Sequence, residues 1–249
     1  MEVPTTHTMN QVSAALVKDA HKFIIMDLEF SMIHKTSMVL ISGAISNSLD
    51  RFKIRKLEGR PLYLPVNEEV RPMRDQELLV AQREIKRIFS CKTELRDACL
   101  DQLEKSLKAE VNSLNVNYIT NYILRDNKIN VIVVWNCSSD KNILKRLGIV
   151  QFPILNITCY DKYFNKNFTI ILEKLENKQV LFELEIGYFD KRGRLMNLEE
   201  THNKICHKKH KLTHAHDPRT HVIYMKCIFD YVIRKYKYEN LAQHFKKYT

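Results

Sequence analysis

Residues 22–30 read Lys-Phe-Ile-Ile-Met-Asp-Leu-Glu-Phe (KFIIMDLEF). An apolar run that ends in acids predicts a buried strand with a charged end. Side chains two apart on a strand share a face, so Asp27 and Glu29 reach a common point. Two converging carboxylates make a hard-oxygen site suited to Mg²⁺ or Mn²⁺. The plainer alternative is a strand that ends in solvated acids.

Outward from this stretch, Met38–Ile45 and Arg51–Leu57 read as two more strands, which together suggest an antiparallel meander. Gly59–Pro72 carries three of the six prolines and reads as a loop. Asp75–Phe89 has helical spacing, with Leu78, Leu79, Ile85 and Ile88 on one side. Glu94–Leu114 reads as a second helix. Asn130–Trp135 (NVIVVW) is a β-branched run of the kind found in a strand covered on both faces. Ser139–Leu147 is a short helix stopped by Gly148, and Pro153–Cys159 is another strand. Phe168–Phe189 fits neither period cleanly, and Leu195–Cys206 reads as a helix. In the last element Asp217 suits the N-cap and Pro218 the first helical position. Val222, Met225, Phe229, Val232 and Tyr236 then recur at helical intervals. The order predicts an α/β fold: a mixed sheet, antiparallel first and then parallel at its centre, flanked by helices.

The 249 residues contain 45% hydrophobic side chains, enough for a sizeable core. No repeat or low-complexity linker divides them. One domain over residues 21–238 is expected, with a flexible stretch at 1–20 and a basic tail at 239–249. The first twenty residues lack a signal peptide's basic start and long apolar run. No segment is long enough to cross a bilayer. Six dispersed cysteines suit a reducing compartment, so an intracellular protein of cytoplasm or nucleus is expected.

The formal charge is +11. Residues 201–249 hold eleven Lys/Arg against Asp217, Asp230 and Glu239, so this stretch contributes +8, and seven of the ten histidines lie there too. Such an excess favours polyanionic partners, nucleic acid before membrane. Arg234, Lys235, Lys237, Lys246 and Lys247 are interleaved with Tyr231, Tyr236, Tyr238 and Tyr248. Cations beside aromatic rings suit single-stranded RNA or DNA; a helix with core tyrosines and solvated lysines is the plainer alternative.

Two further motifs carry chemistry. Asn136 is followed four residues later by Asp140, directly after the β-branched run. That puts Asp140 in a first helical turn at the carboxyl edge of the sheet, where open α/β sheets bind ligands. The second is His216-Asp217-Pro218-Arg219-Thr220-His221. His221 shares a helix face with Met225 and Phe229 and should point inward.

These motifs, in this order, resemble the DEDD superfamily of 3′–5′ exonucleases, in its catalytic-histidine (DEDDh) subgroup, whose fold is RNase H-like. That family has Asp-x-Glu on the first strand, here Asp27 and Glu29. It has Asn-x-x-x-Asp after the central strand, here Asn136 and Asp140, often followed by Leu, here Leu144. It has His-x-x-x-x-Asp entering the last helix. The resemblance spans about Phe23 to Tyr236. It implies a two-metal mechanism with Asp27, Glu29 and Asp140 as Mg²⁺ or Mn²⁺ ligands and His216 as the base. Asn136, Arg219, Arg234, Lys235 and Lys237 would then face nucleic acid. Two positions depart from the family: Phe30-Ser31 replaces the common Thr-Gly, and His221 stands where the last carboxylate belongs. Imidazole is a poor substitute for an anionic oxygen on Mg²⁺. The expectation is a nucleic-acid-binding protein with impaired catalysis that acts as a binding or adaptor module, with an active metal-dependent exonuclease as the alternative.

His202, Cys206, His210 and His214 recur every four residues, which raises a zinc site. The approach of Pro218 argues against one continuous helix through them, and a basic, His-rich loop is the plainer alternative.

Overall fold

Residues 23–30 of the opening stretch begin β1 (Phe23–His34) in the structure, a computed structural model that describes residues 23–34, 36–47, 54–125, 131–136, 138–162, 165–186, 194–206, 210 and 217–235. β1 pairs antiparallel with β2 (Ser37–Asn47) on one side and parallel with β6 (Val131–Trp135) on the other. It is therefore an interior strand, as its apolar run requires. Alternation along it divides the core. Ile24, Met26 and Leu28 pack on one face, against a set that includes Ile143, Leu144 and Leu147. Phe23 and Ile25 pack on the other with Val222, Met225, Ile228 and Phe229. Asp27 and Glu29 continue the Phe23–Ile25 row.

The sheet runs β5 (Arg71–Pro72), β4 (Leu62–Leu64), β2, β1, β6, β7 (Pro153–Lys162), β8 (Asn165–Lys174), β9 (Val180–Ile186), with β3 (Ile54–Leu57) paired to β2 and β10 (Arg194–Leu195) paired to β7. β1, β6 and β7 are parallel, and the neighbours on both flanks are antiparallel. The mixed sheet flanked by helices is thus as expected. β6 is buried from Val131 to Val134, and Asn136 ends it with a left-handed backbone (φ 43) that turns the chain into α3 (Ser138–Arg146). Gly148 (φ 73) closes α3 with the amides of Gly148 and Ile149 bonded to Lys145 and Leu144, the paired bonds of a Schellman turn. Lys141 of α3 pairs with Glu173.

The last helix, α5 (Pro218–Lys235), lies across β1 and β2 and buries Val222, Met225, Phe229 and Val232. The Asp217 carboxylate accepts from the Arg219 amide at 2.9 Å, as an N-cap should. Buried Lys226 donates to Ser46 of β2 at 3.1 Å, which fixes the helix over the sheet. Tyr236, the fifth apolar position anticipated for this helix, lies outside the described residues.

Several local readings change. The expected loop over Gly59–Pro72 contains β4 (Leu62–Leu64) and β5 (Arg71–Pro72). Leu62 and Leu64 are buried by pairing with Leu40 and Met38, a tertiary gain that outweighs the local prolines. In α1 (Asp75–Ile88) the inward side is Ala81 and Ile85 with Leu78, whereas Leu79 (63%) and Ile88 (51%) are exposed. α2 (Thr93–Leu107) stops seven residues before the expected Leu114, because Ser113 turns back to bond Glu58 and Leu114 enters the core. Buried Gln102 of α2 donates to Ser42. Tyr118–Arg125 forms a π-helix that no period announces. The ambiguous region resolves into β8 (Asn165–Lys174) and β9 (Val180–Ile186), joined through Lys178 at φ 58. α4 begins at Leu198, not Leu195, because Asn197 and Glu200 form a capping box there, and it ends at Ile205. Among the described residues no helix is long and apolar enough to cross a membrane.

Candidate functional site

The row that begins with Phe23 and Ile25 ends at Asp27 and Glu29, and His221 of α5 meets both. Its Nδ1 lies 3.1 Å from Asp27 Oδ2 and 3.2 Å from Glu29 Oε1. His221 occupies the first turns of α5, one helical turn before Met225, so core packing of the helix delivers the ring to the acids. The side chain is 23% exposed. Burial disfavours a charged ring, but hydrogen bonds to Asp27 and Glu29 outweigh it and carry the His221 pKa from 6.5 up to about 11. The ring is therefore an imidazolium at neutral pH, and its Nδ1–H donates to both carboxylates.

Asp140, in the first turn of α3, completes the group of acids. Its Oδ1 is buried without a hydrogen-bond partner. Burial, and then the charge of Asp27, push its pKa well above the carboxylate range. The expected state is a neutral acid. Asp140→Asn imitates that state, so the variant should melt at or above the wild type at pH 7. For an acid with a raised folded pKa the penalty appears as pH rises, so the gap should close toward pH 4. A variant that melts well below wild type at pH 7 in circular dichroism would exclude a neutral Asp140.

The anticipated acids thus converge, and His221 joins them. His216 lies outside the described residues, as do His214 and Lys237. Asn136 is exposed at the end of β6, beside this edge. Arg219 is exposed, but its guanidinium is paired with buried Asp217 at 2.6–3.1 Å. Arg234 and Lys235 lie in the last turn of α5.

A second cluster stands between α4 and α5. His202, Cys206 and His210 come together as the spacing suggested, and the fourth member is Cys227 of α5. Cys206 Sγ lies 3.6 Å and Cys227 Sγ 3.3 Å from His210 Nε2. The His202 and His210 rings are 5.2 Å apart, and Tyr224 stacks on His202 at 4.2 Å. Burial pushes the His202 imidazole below its ordinary pKa. Cys227 escapes sequence reading because it sits 17 residues beyond His210, on another element. The hint in the sequence is a cysteine among the apolar positions of the last helix, a short way after a run rich in histidine. In each cluster, His202/Cys206/His210/Cys227 and Asp27/Glu29/His221, the ligand atoms lie within 4.8 Å of one another, so both groups can hold a metal ion.

The chain matches no protein-family model, and comparison with curated proteins and with solved structures returns no match.

Proposed function

We propose that this chain is an RNase H-like, single-stranded nucleic-acid-binding domain of the DEDDh exonuclease type, in which an internal imidazolium has replaced the catalytic metals. The observation that carries the reading is the position of His221 Nδ1, within 3.1–3.2 Å of both first-strand carboxylates. On this reading the protonated His221 ring stands in for a cation between Asp27 and Glu29. The donor set therefore does not fit a pair of oxygen-ligated Mg²⁺ ions, and no cleavage step runs through them. The mixed sheet, with Asp-x-Glu on an interior strand and Asp140 in the helix after β6, supports the exonuclease type. The +11 charge supports a polyanionic ligand. Cysteines that form no disulfide among the described residues accord with a cytoplasmic or nuclear setting. On this reading the chain acts as a binding or adaptor module in RNA processing or silencing.

Fluorescence anisotropy with labelled single-stranded RNA and DNA, over a salt series, tests binding. Affinity should fall linearly in log–log form as counterions compete. The same oligonucleotides should remain full length in Mg²⁺. Trimming in Mg²⁺ that disappears in Asp27→Ala would overturn the reading. The proximity of imidazole to two carboxylates also favours a second reading, in which Mn²⁺ binds Asp27, Glu29 and His221 and supports slow exonuclease action. Trimming in Mn²⁺ alone, raised by His221→Asp, would select it.

A further inference from the structure

We propose that His202, Cys206, His210 and Cys227 form a structural Zn²⁺ site that fastens α5 to the end of α4. The proposal is independent of the nucleic-acid reading. Two sulfurs and two imidazole nitrogens are a donor set that zinc accepts in tetrahedral form. Zn–S and Zn–N bonds of ordinary length make the S···N edges of that tetrahedron about 3.6 Å. The two edges that meet at His210 Nε2 are 3.6 Å from Cys206 and 3.3 Å from Cys227. All four donor atoms lie within 4.8 Å of one another.

His202 supplies the independent sign of a missing partner. Its Nε2 is buried without a hydrogen bond, a costly state for a polar atom. Its Nδ1 lies 3.3 Å from Asn203 Oδ1. A proton on Nδ1 can be donated there, which leaves the Nε2 lone pair for a metal. That is the usual outer-shell support of a ligating histidine.

The local fold explains how residues four apart meet without a continuous helix. Cys206 caps α4 in an extended conformation (φ −108, ψ 118), so the chain leaves the helix at the ligand itself. His210 then comes back against His202. Cys227 closes the set from α5, where Tyr224 one turn earlier already stacks on His202. The pattern His-x3-Cys-x3-His-x16-Cys differs from the four-residue repeat through His214 in its last member. Cys227 lies six positions beyond His221 on the same helix, so the ion would hold the helix that places the imidazolium.

Elemental analysis of the full chain, expressed with zinc and purified without chelators, should find one zinc per chain. Cys206→Ser and Cys227→Ser should lose it, and His214→Ala should keep it. Zinc far below stoichiometry would overturn the proposal, as would full zinc in Cys227→Ser or a Cys206–Cys227 disulfide found by mass spectrometry of the native protein. Should the cysteine variants fail to fold, Co²⁺ exchanged into the wild type decides. Intense visible bands of tetrahedral thiolate cobalt are expected, and their absence rejects the site.

Discussion

Replacing His221 with alanine should destabilise the protein by about 3–5 kcal/mol, the usual cost of removing one partner from a buried ion pair. The ring stands between Asp27 and Glu29, with Asp140 close behind. Without it, the two carboxylates lose the positive charge that stands between them. Urea unfolding followed by circular dichroism measures the loss. The cause is separable from lost packing. Asp27→Asn, harmful alone, should restore part of the stability in the His221→Ala background, the signature of coupled residues in a double-mutant cycle. Millimolar Mn²⁺ should also stabilise His221→Ala more than the wild type, because the emptied position now admits a cation. A loss under about 1 kcal/mol, or strictly additive effects, would show that the ring contributes little charge.

Wild-type stability should also fall on the alkaline side for the same reason. The folded His221 pKa, about 11, exceeds its ordinary 6.5 because the two carboxylates outweigh burial. A raised pKa means that the folded state holds the proton more tightly. The contribution is full below pH 6.5 and is lost as pH climbs through 11. Between those limits it declines by up to about 1.4 kcal/mol per pH unit. Lysines, tyrosines and thiols titrate in the upper part of this window, so the informative quantity is the difference from His221→Gln. The wild-type advantage should shrink steadily from pH 7 to 10. Parallel curves over that range would place the His221 pKa near its ordinary value.

The centre of the fold is legible in the residues. β1 and β6 are runs of large apolar side chains that only an interior position satisfies, and α5 repeats its apolar residues at the helical interval with a cap in front. Spacing puts Asp27 and Glu29 on one strand face and His221 on one helix face with Met225 and Phe229, but only the resemblance to the exonuclease motifs set the two groups at one site. What stays hidden depends on partners remote in the chain. β4 is three residues long and exists because β2 offers an edge. Leu79 and Ile88 fit the apolar side of α1 by spacing, yet both are exposed among the described residues. Cys227 has no spacing relation to Cys206 or His210, so only the path of α5 over the sheet makes it their neighbour. The raised pKa of Asp140 is equally invisible, since it follows from burial and from a charge on another strand.

The ion pair between His221 and Asp27 joins residues 194 positions apart. β1 can pair with β2 as soon as both are made, while its other edge waits for β6, whose Val131 meets Phe23. Throughout that wait a strand containing Phe23, Ile24, Ile25 and Met26 is half-covered, the kind of segment that joins other chains. Asp27 and Glu29 lie in that same strand, and charges within an apolar strand disfavour its pairing with other chains. The two carboxylates that meet His221 in the folded chain therefore also lower the tendency of their strand to pair with another chain.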